Sequence, residues 1–271
     1  MTAHADSERF RRGAENYAAY LETPEGRLRL DLAFANLQEF LPRGIGNLRA
    51  LDVGCGTGAI AIRLALLGFE VTLLDMALPM LESAERSARE AGVRDRVALK
   101  HGDASQLVDL CDPGSFDVIL CHNVLEFLDH PDAVMSEVVR VMRNSSAILS
   151  LLVRNQAGEV LKAALVTGDL VTAEGAVTAE WAQEALYGGK VRLFTSDRLQ
   201  SLLQGASLTV DAQRGVRVLA DYLPPQISRS EDYQRIFSLE RILGRRPDFA
   251  AVARYTHCIA HLANPVTKDV A

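Results

Sequence analysis

The stretch Leu51-Asp52-Val53-Gly54-Cys55-Gly56-Thr57-Gly58 decides the fold of this 271-residue chain. A short apolar run ends there in a glycine-rich turn, and residues 58–67 then follow with the apolar spacing of a helix. Glycines in such a turn adopt positive φ and let a ligand approach the backbone, while the next helix N-terminus offers free N–H groups. The spacing G-x-G-x-G differs from the G-x-G-x-x-G of dinucleotide-binding turns. The stretch therefore predicts a strand, a ligand-binding turn and a helix.

Strand-like and helix-like segments alternate outward from this turn. The predicted strands are 48–53, 70–74, 97–101, 116–121, 147–153, 207–219 and 254–263. The predicted helices of the same region are 58–67, 79–91, 131–142, 196–203 and 228–243. Apolar strands separated by amphipathic helices are typical of a parallel sheet covered on both faces. We therefore predict an α/β fold with a Rossmann-like, doubly wound, mostly parallel seven-stranded sheet.

Two further regions complete the predicted organisation. Residues 1–46 are expected to form an N-terminal helical cap of two helices, the second beginning near Pro24 and broken after residue 41 by proline and glycine. Residues 47–271 are expected to form the Rossmann-like domain. The alternation is interrupted at about 154–194, which we interpret as a mostly helical insertion after the fifth strand.

Composition narrows the class of protein. No apolar run approaches the roughly 20 residues that cross a bilayer, and the four cysteines show no CxxC pair, so we expect a reduced cytoplasmic protein without membrane contact. His257 and His261 would lie about 13 Å apart on a strand, so we expect no metal site. A net charge of −6 argues against unspecific nucleic-acid binding. The chain offers no indication of its oligomeric state.

Acidic residues near the predicted strand ends indicate the ligand. Asp52 precedes the glycines and suits a ligand that carries an amino group or a cation. Asp75 ends the second strand, where a carboxylate can accept hydrogen bonds from ribose hydroxyls. Asp103, after the third strand, can accept from an adenine amino group. Ligands of open α/β sheets bind at the carboxyl ends of the strands, where all three residues are expected.

This combination resembles class I S-adenosylmethionine-dependent methyltransferases over roughly residues 48–153. The resemblance implies S-adenosylmethionine as cofactor. The cofactor-contacting residues that it predicts in this region are Asp52, Gly54, Cys55, Gly56, Gly58, Asp75, Met76, Asp103, Ala104 and His122. A nucleotide-binding module using NAD is the competing interpretation of the glycine turn.

Motifs outside this region are similar to the tRNA 5-carboxymethoxyuridine methyltransferase family, which esterifies the carboxylate of a modified wobble uridine. They are Gly26–Arg29, Cys121–Phe127, Gly215–Tyr222 and Arg254–His257. The resemblance implies that Arg29 grips the methionine end of the cofactor, that His122 lies near the sulfonium, and that Arg217 faces the RNA or its carboxylate. His122 and Arg217 are thus the predicted catalytic residues. A carboxylate acceptor is already ionised at neutral pH and needs no general base.

The acceptor has alternatives. The stretch between Asp169 and Glu184 is acidic, which favours a small-molecule methyltransferase over an RNA enzyme. A non-catalytic cofactor-binding module on the same fold is a third hypothesis. Individual residues are also ambiguous. His122 could act as a base for a hydroxyl or amine, Glu126 could either bind substrate or stabilise a helix N-terminus, and Arg217 could lie over the sheet edge without touching substrate.

Overall fold

The computed structural model describes residues 3–42, 47–184 and 186–263. One seven-stranded sheet runs through it. Its strands are β1 (Arg49–Val53), β2 (Glu70–Asp75), β3 (Val97–His101), β4 (Val118–His122), β5 (Ile148–Arg154) and, after a separate hairpin of β6 (Trp181–Gln183) and β7 (Lys190–Arg192), β8 (Leu208–Val216) and β9 (Tyr255–Leu262). The order is β3-β2-β1-β4-β5-β9-β8, with β9 antiparallel to both neighbours. The predicted mostly parallel seven-stranded sheet is confirmed.

Helices cover both faces of the sheet. They are α1 (Ala3–Glu22), α2 (Pro24–Gln38), α3 (Ala59–Leu66), α4 (Leu78–Glu90), α5 (Leu107–Leu110), α6 (Pro131–Val141), α7 (Gln156–Leu165), α8 (Leu170–Ala176), α9 (Ser196–Gly205), α10 (Tyr233–Gly244) and α11 (Pro247–Ala250). One core contains side chains of α2, α3, α4 and α10, and the other contains those of α5, α6 and α9. Apolar layers thus cover both faces of the sheet, as a doubly wound fold requires.

The N-terminal helices are joined by a sharp turn that the sequence predicts. Thr23 caps α2 by accepting a hydrogen bond from the Gly26 backbone, and Pro24 occupies the first turn. A Cβ at Gly26 would come within 2.1 Å of the Tyr20 carbonyl, so only glycine permits this crossing of α1 and α2. The turn buries Arg29 and Asn36 of α2 against the sheet. The boundary predicted at residue 46 lies outside the described residues.

The insertion after β5 is only partly helical. Helices α7 and α8 account for its first half, but β6 and β7 pair antiparallel in its second half, with Trp181 opposite Arg192. The hairpin was not predicted, because three-residue strands are too short for alternation to stand out. Its connecting residues carry Glu184, Leu186 and Tyr187 to the sheet edge, where they line a cavity.

Two negative findings apply to the described ranges alone. None of the helices within them combines the length and apolar character needed to cross a membrane. In the same ranges, histidine, cysteine and acidic side chains do not gather in groups of three or more that could hold a metal ion. His257 instead lies buried on β9, and His261 pairs with Asp211 at 2.8 Å.

Candidate active site

The glycine turn has the backbone that its sequence predicts. Gly54, Gly56 and Gly58 have φ values of +66°, +54° and +72°, a region that side chains other than glycine rarely adopt. A Cβ on Gly54 would lie 2.5 Å from Val124, and one on Gly56 would lie 3.0 Å from Tyr17. The turn thus leaves its ligand-facing side free of side-chain atoms and brings neighbouring elements close to the backbone.

A cavity of about 160 Å³ lies at the carboxyl ends of the parallel strands. Eight of the predicted cofactor residues line it: Arg29, Gly54, Gly56, Asp75, Met76, Asp103, Ala104 and His122. Asp52 and Cys55 line a smaller adjoining cavity of about 30 Å³. Gly58 lines neither cavity. A Cβ at this position would lie 3.1 Å from Leu73 and 3.2 Å from Ala84 in the core. Strands far apart in sequence therefore bring most of the predicted residues together.

Asp75 is held by the turn itself. Its Oδ2 accepts a hydrogen bond from the Gly56 backbone at 2.8 Å, and its Oδ1 accepts one from the Ala77 backbone at 2.9 Å. Each carboxylate oxygen can accept a second hydrogen bond, so the group can still bind ribose hydroxyls. Burial raises the pKa of Asp75, and these backbone hydrogen bonds oppose the rise. Asp103 similarly accepts from the Ser105 backbone at 2.8 Å through Oδ1, which leaves Oδ2 toward a ligand.

Arg29 is a buried cation with neutral partners. Its guanidinium donates to Asn123 Oδ1 and to the Tyr17 hydroxyl, each at 3.0 Å, and it lies over the Tyr20 and Tyr255 rings. No aspartate or glutamate of the described residues pairs with it, although the side chain is only 5% exposed. An unpaired buried charge is costly, so Arg29 fits a carboxylate-bearing ligand. Asn123 adopts a left-handed backbone, with φ +56°, to reach it.

Asp52 and Cys55 differ from Gly54 and Gly56 because they line the smaller cavity and not the larger one. Asp52 is 6% exposed, and burial together with the neighbouring Asp75 raises its pKa. Burial also raises the pKa of the Cys55 thiol, with Asp75 and Asp52 adding to it, so this cysteine does not supply a thiolate nucleophile.

His122 ends β4 on the cavity wall and is anchored from behind. Its Nε2 lies 2.8 Å from Ser150 Oγ, and Ser150 lies 2.8 Å from His257 Nε2. Burial lowers the pKa of His122 well below its usual range, and His257 and Arg29 lower it further. His122 is therefore neutral near pH 7, as a residue beside a cationic ligand should be.

Arg217 does not line the cavity. Its guanidinium donates to Asp221 Oδ1 through two nitrogens and to the Tyr20 hydroxyl at 2.7 Å. These contacts tie β8 to the end of α1, and the left-handed backbone of Arg217, with φ +60°, permits them. Asp221 accepts from Nε and Nη2, one of the edges by which a guanidinium can grip a carboxylate, and the contact of Arg217 with substrate stays a prediction.

A second arginine that lines the cavity, besides Arg29, is Arg154, the last residue of β5. Its guanidinium lies 3.9 Å from Glu159 and 3.9 Å from Glu184, beyond hydrogen-bond distance. Glu159 instead accepts a hydrogen bond of 2.5 Å from Arg254. Arg154 was missed by the sequence reasoning, because nothing in a strand-end arginine distinguishes it from a solvent-facing residue before the fold places it.

Glu126 lies beside Arg154 and is incompletely satisfied. Its Oε1 accepts from Asn123 Nδ2 at 2.8 Å and from the Arg154 backbone at 3.0 Å. Its Oε2 is buried and has no hydrogen-bond partner among the described residues. Burial raises the pKa of Glu126. The geometry favours the substrate-binding interpretation of this residue, because helix capping would not leave a buried oxygen on the cavity wall.

Tyr255 completes the polar wall. It is 5% exposed and lines the cavity at the start of β9. Burial alone would raise the pKa of Tyr255, but the electrostatic attraction of Arg29, Arg217, Arg154 and Arg254 outweighs burial and lowers the pKa to about 7. Two of these arginines, Arg29 and Arg154, line the cavity with Tyr255 and could face an anionic group of a ligand.

Aromatic side chains cover the cavity. Tyr187 contacts Phe10 with ring centroids 5.0 Å apart, Phe127 at 5.7 Å and Tyr17 at 5.8 Å. These rings come from α1, the hairpin and the segment after β4, three regions with no shared sequence motif. We call this group (Phe10, Tyr17, Phe127 and Tyr187) the aromatic cover. It shields the cavity from water, which strengthens electrostatic interactions inside.

Comparison with known proteins agrees with this geometry. A sequence model described as a methyltransferase domain matches residues 51–150. The chain is 28% identical to the tRNA 5-carboxymethoxyuridine methyltransferase of Escherichia coli K12 over 91% of this chain and 92% of that protein. It is 31% identical to the ubiquinone biosynthesis O-methyltransferase of Rickettsia conorii over 54% of this chain and 49% of that protein.

Solved structures share the fold. The 1,6-didemethyltoxoflavin-N1-methyltransferase of Burkholderia thailandensis, solved with S-adenosylhomocysteine, superposes with a TM-score of 0.61 over 97% of this chain and 92% of that chain, at 17% identity. The range matched by the methyltransferase-domain model, residues 51–150, contains the glycine turn, Asp75, Asp103 and His122. The chain therefore contains a methyltransferase domain and is an S-adenosylmethionine-dependent methyltransferase, similar over nine-tenths of its length to the tRNA 5-carboxymethoxyuridine methyltransferase of Escherichia coli.

Proposed function

We propose that S-adenosylmethionine binds along the glycine-turn side of the cavity and that the acceptor is a carboxylate held by Arg154. The bound cofactor supplies a methyl group activated by the positive charge of its sulfonium. The residues proposed to hold it are Arg29, Asp52, Gly54, Cys55, Gly56, Asp75, Met76, Asp103, Ala104 and His122. Gly58 would contribute by starting α3 in a left-handed conformation rather than by touching the ligand.

The residues present fit this cofactor. Arg29 is a buried guanidinium without a carboxylate partner among the described residues, and it suits the carboxylate of the methionine moiety. Asp52 is a buried carboxylate that suits the ammonium of the same moiety. Asp75 keeps accepting capacity at the end of β2 for ribose hydroxyls. A guanidinium and a carboxyl group are thus available for a zwitterionic amino-acid tail, and the ammonium of that tail would favour the ionised form of Asp52.

The observation that carries the acceptor proposal is the guanidinium of Arg154 on the cavity wall. It forms ion pairs with Glu159 and Glu184 at 3.9 Å but donates no hydrogen bond to either, so its planar fork could donate to a carboxylate in the cavity. A carboxylate gripped in this way presents one oxygen lone pair toward the methyl group. Alignment and exclusion of water then supply the catalysis, because the acceptor is already ionised and no proton has to be removed.

The proposed physiological acceptor is 5-carboxymethoxyuridine in tRNA. The relative in Escherichia coli bears that activity in its name and aligns over nine-tenths of this chain. The segment from Lys190 to Arg254 carries 11 lysines and arginines against 7 aspartates and glutamates, so the surface after the insertion is the proposed contact for the RNA backbone. A tRNA substrate would place the enzyme in the cytoplasm.

A small molecule, such as a small carboxylic acid, is the second candidate acceptor. The net charge of −6 and the acidic stretch around α8 favour a small acceptor over RNA, as does the likeness to an O-methyltransferase of ubiquinone biosynthesis. Salt distinguishes the candidates. Affinity for an RNA acceptor should fall steeply between low and moderate salt, whereas affinity for a small acid should change little.

The test is methyl transfer from labelled S-adenosylmethionine to bulk tRNA that contains carboxymethoxyuridine and lacks its methyl ester. We expect label in the tRNA that mild alkali releases, as it does from an ester. Alkali-stable label would contradict a carboxylate acceptor. Absence of label, with S-adenosylhomocysteine binding intact by calorimetry, would contradict the tRNA acceptor and favour the small acid.

A further inference from the structure

His122, Ser150, His257 and Asn36 form one chain of hydrogen bonds behind the cavity. Ser150 lies on β5, between β4 with His122 and β9 with His257. Both histidines pair in register with Leu152, two residues after Ser150 on the same strand. Diagonal neighbours on one sheet face are within reach of side chains of this size. The distances are 2.8 Å from His122 Nε2 to Ser150 Oγ and 2.8 Å from Ser150 Oγ to His257 Nε2.

Asn36, at the far end of this row of hydrogen bonds, determines which atoms donate and which accept. Asn36 Nδ2 of helix α2 lies 3.4 Å from His257 Nδ1, and an amide nitrogen can only donate. His257 Nδ1 therefore accepts, and the proton of this imidazole is on Nε2. His257 is fully buried, and burial, aided by Arg214, lowers its pKa to about 3, so it carries a single proton at neutral pH.

Each later member follows from the preceding one. His257 Nε2–H donates to Ser150 Oγ, and the only hydrogen of the Ser150 hydroxyl is then directed at His122 Nε2. His122 Nε2 accepts, so the proton of the neutral His122 ring is on Nδ1. Nδ1 has no hydrogen-bond partner among the described residues, and His122 lines the cavity, so this N–H is the donor that the ring can offer to a ligand.

We infer that Asn36, Ser150 and His257 are positioning residues that hold His122 as the Nδ1–H tautomer, so that it presents a hydrogen-bond donor, and no base, to the acceptor. An N–H at this place can hold a carboxylate oxygen but cannot take a proton from a hydroxyl or an amine. The tautomer follows from the hydrogen bonds alone. Its consequence, selection for an acceptor that is already ionised, rests on the proposed function.

The test is nitrogen NMR of the full chain with labelled histidine, in which the coupling pattern of each ring reports its protonated nitrogen. The signals are assigned with His122→Gln and His257→Gln. We expect protonated Nδ1 for His122 and protonated Nε2 for His257 in the wild type. In Ser150→Ala and in Asn36→Leu, we expect His122 to shift toward the Nε2–H form that a free imidazole favours.

Cooperative thermal unfolding confirms that each variant is folded. The inference is overturned by protonated Nε2 on His122 in the wild type, or by an unchanged His122 tautomer in a folded Ser150→Ala variant. Because this readout needs no acceptor, failure of methyl transfer to tRNA leaves it interpretable. In kinetics, Ser150→Ala should lower kcat about ten- to hundredfold, the loss expected for a misdirected hydrogen bond to a charged group.

Discussion

The two sides of the cavity are built in different ways. The glycine-turn side comes mainly from consecutive strand ends within residues 51–103, with Arg29 of α2 added, and it uses backbone N–H groups, positive φ angles and the carboxyl groups of Asp52, Asp75 and Asp103. The acceptor side combines β4, β5 and β9 with the insertion and α1, and it uses arginines, buried histidines and aromatic rings. The first side can be described by one short motif, whereas the second exists only after folding. Substrate choice therefore depends on the second side.

The largest expected effect is on the cofactor side. Arg29→Met removes the buried cation that is proposed to hold the methionine carboxylate, and truncating one member of a buried, hydrogen-bonded charge pair costs about 2–5 kcal/mol. We expect the Kd for S-adenosylhomocysteine in calorimetry to rise by at least about thirtyfold. Arg63→Met, which removes a partly exposed ion pair with Asp31 on the same helical layer, is the matched control. Equal losses in both variants would contradict the assignment of Arg29.

Two glycine variants separate the effect of backbone strain from the effect of close ligand approach to the backbone. Gly54→Ala and Gly68→Ala both place alanine at positive φ, at a cost of about 1–2 kcal/mol. Only Gly54 lines the cavity and faces Val124 at 2.5 Å, whereas nothing lies within 4 Å of the Cβ position at Gly68. We expect both variants to lose thermal stability but only Gly54→Ala to lose affinity for S-adenosylhomocysteine. Normal affinity in Gly54→Ala would show that the ligand does not approach this turn.

Acid stability tests the neutral histidines behind the acceptor side. In the unfolded chain a histidine binds a proton below about pH 6.5, whereas His257 stays neutral in the folded chain down to a pKa of about 3. The unfolded state thus binds more protons in this window, and the free energy of unfolding contributed by His257 falls by about 1.4 kcal/mol per pH unit as pH decreases.

We therefore expect denaturant unfolding between pH 6 and pH 4 to show a shallower loss of stability for His257→Gln than for the wild type. The exposed His130→Gln serves as the matched variant. Parallel pH profiles for wild type and His257→Gln would mean that His257 is accessible to protons in the folded state.

The aromatic cover should give the smallest effect. Tyr187→Ala removes three ring contacts, each contributing about 0.5–1.5 kcal/mol beyond its buried area, whereas Tyr187→Phe keeps all three. We expect faster release of S-adenosylhomocysteine from Tyr187→Ala, by about tenfold in stopped flow, and little change in Tyr187→Phe. If the hydroxyl matters instead, the two variants will behave alike.

The sequence predicts the glycine-turn side of the cavity better than the acceptor side. The sequence predicts the seven strands of the main sheet to within a few residues. Most of the predicted cofactor residues between Gly54 and Ala104 line the cavity, because local motifs encode them. Arg217 was assigned to the acceptor side, but Asp221, four residues later, pairs with it. Arg154 and the aromatic cover were missed, since strand register and the β6–β7 hairpin bring them to the cavity and no short-range pattern records either.

The most direct test of this division is Arg154→Gln, measured for two quantities in the same preparation. We expect the Kd for S-adenosylhomocysteine to stay within about twofold of the wild type. We expect kcat/KM for the carboxylate acceptor to fall about a hundredfold, because a charge-assisted bidentate contact is lost. Arg192→Gln, in the hairpin and paired with Glu180, is the control. If both quantities fall together, or if kcat/KM is unchanged, Arg154 does not hold the acceptor and the two sides are not separate.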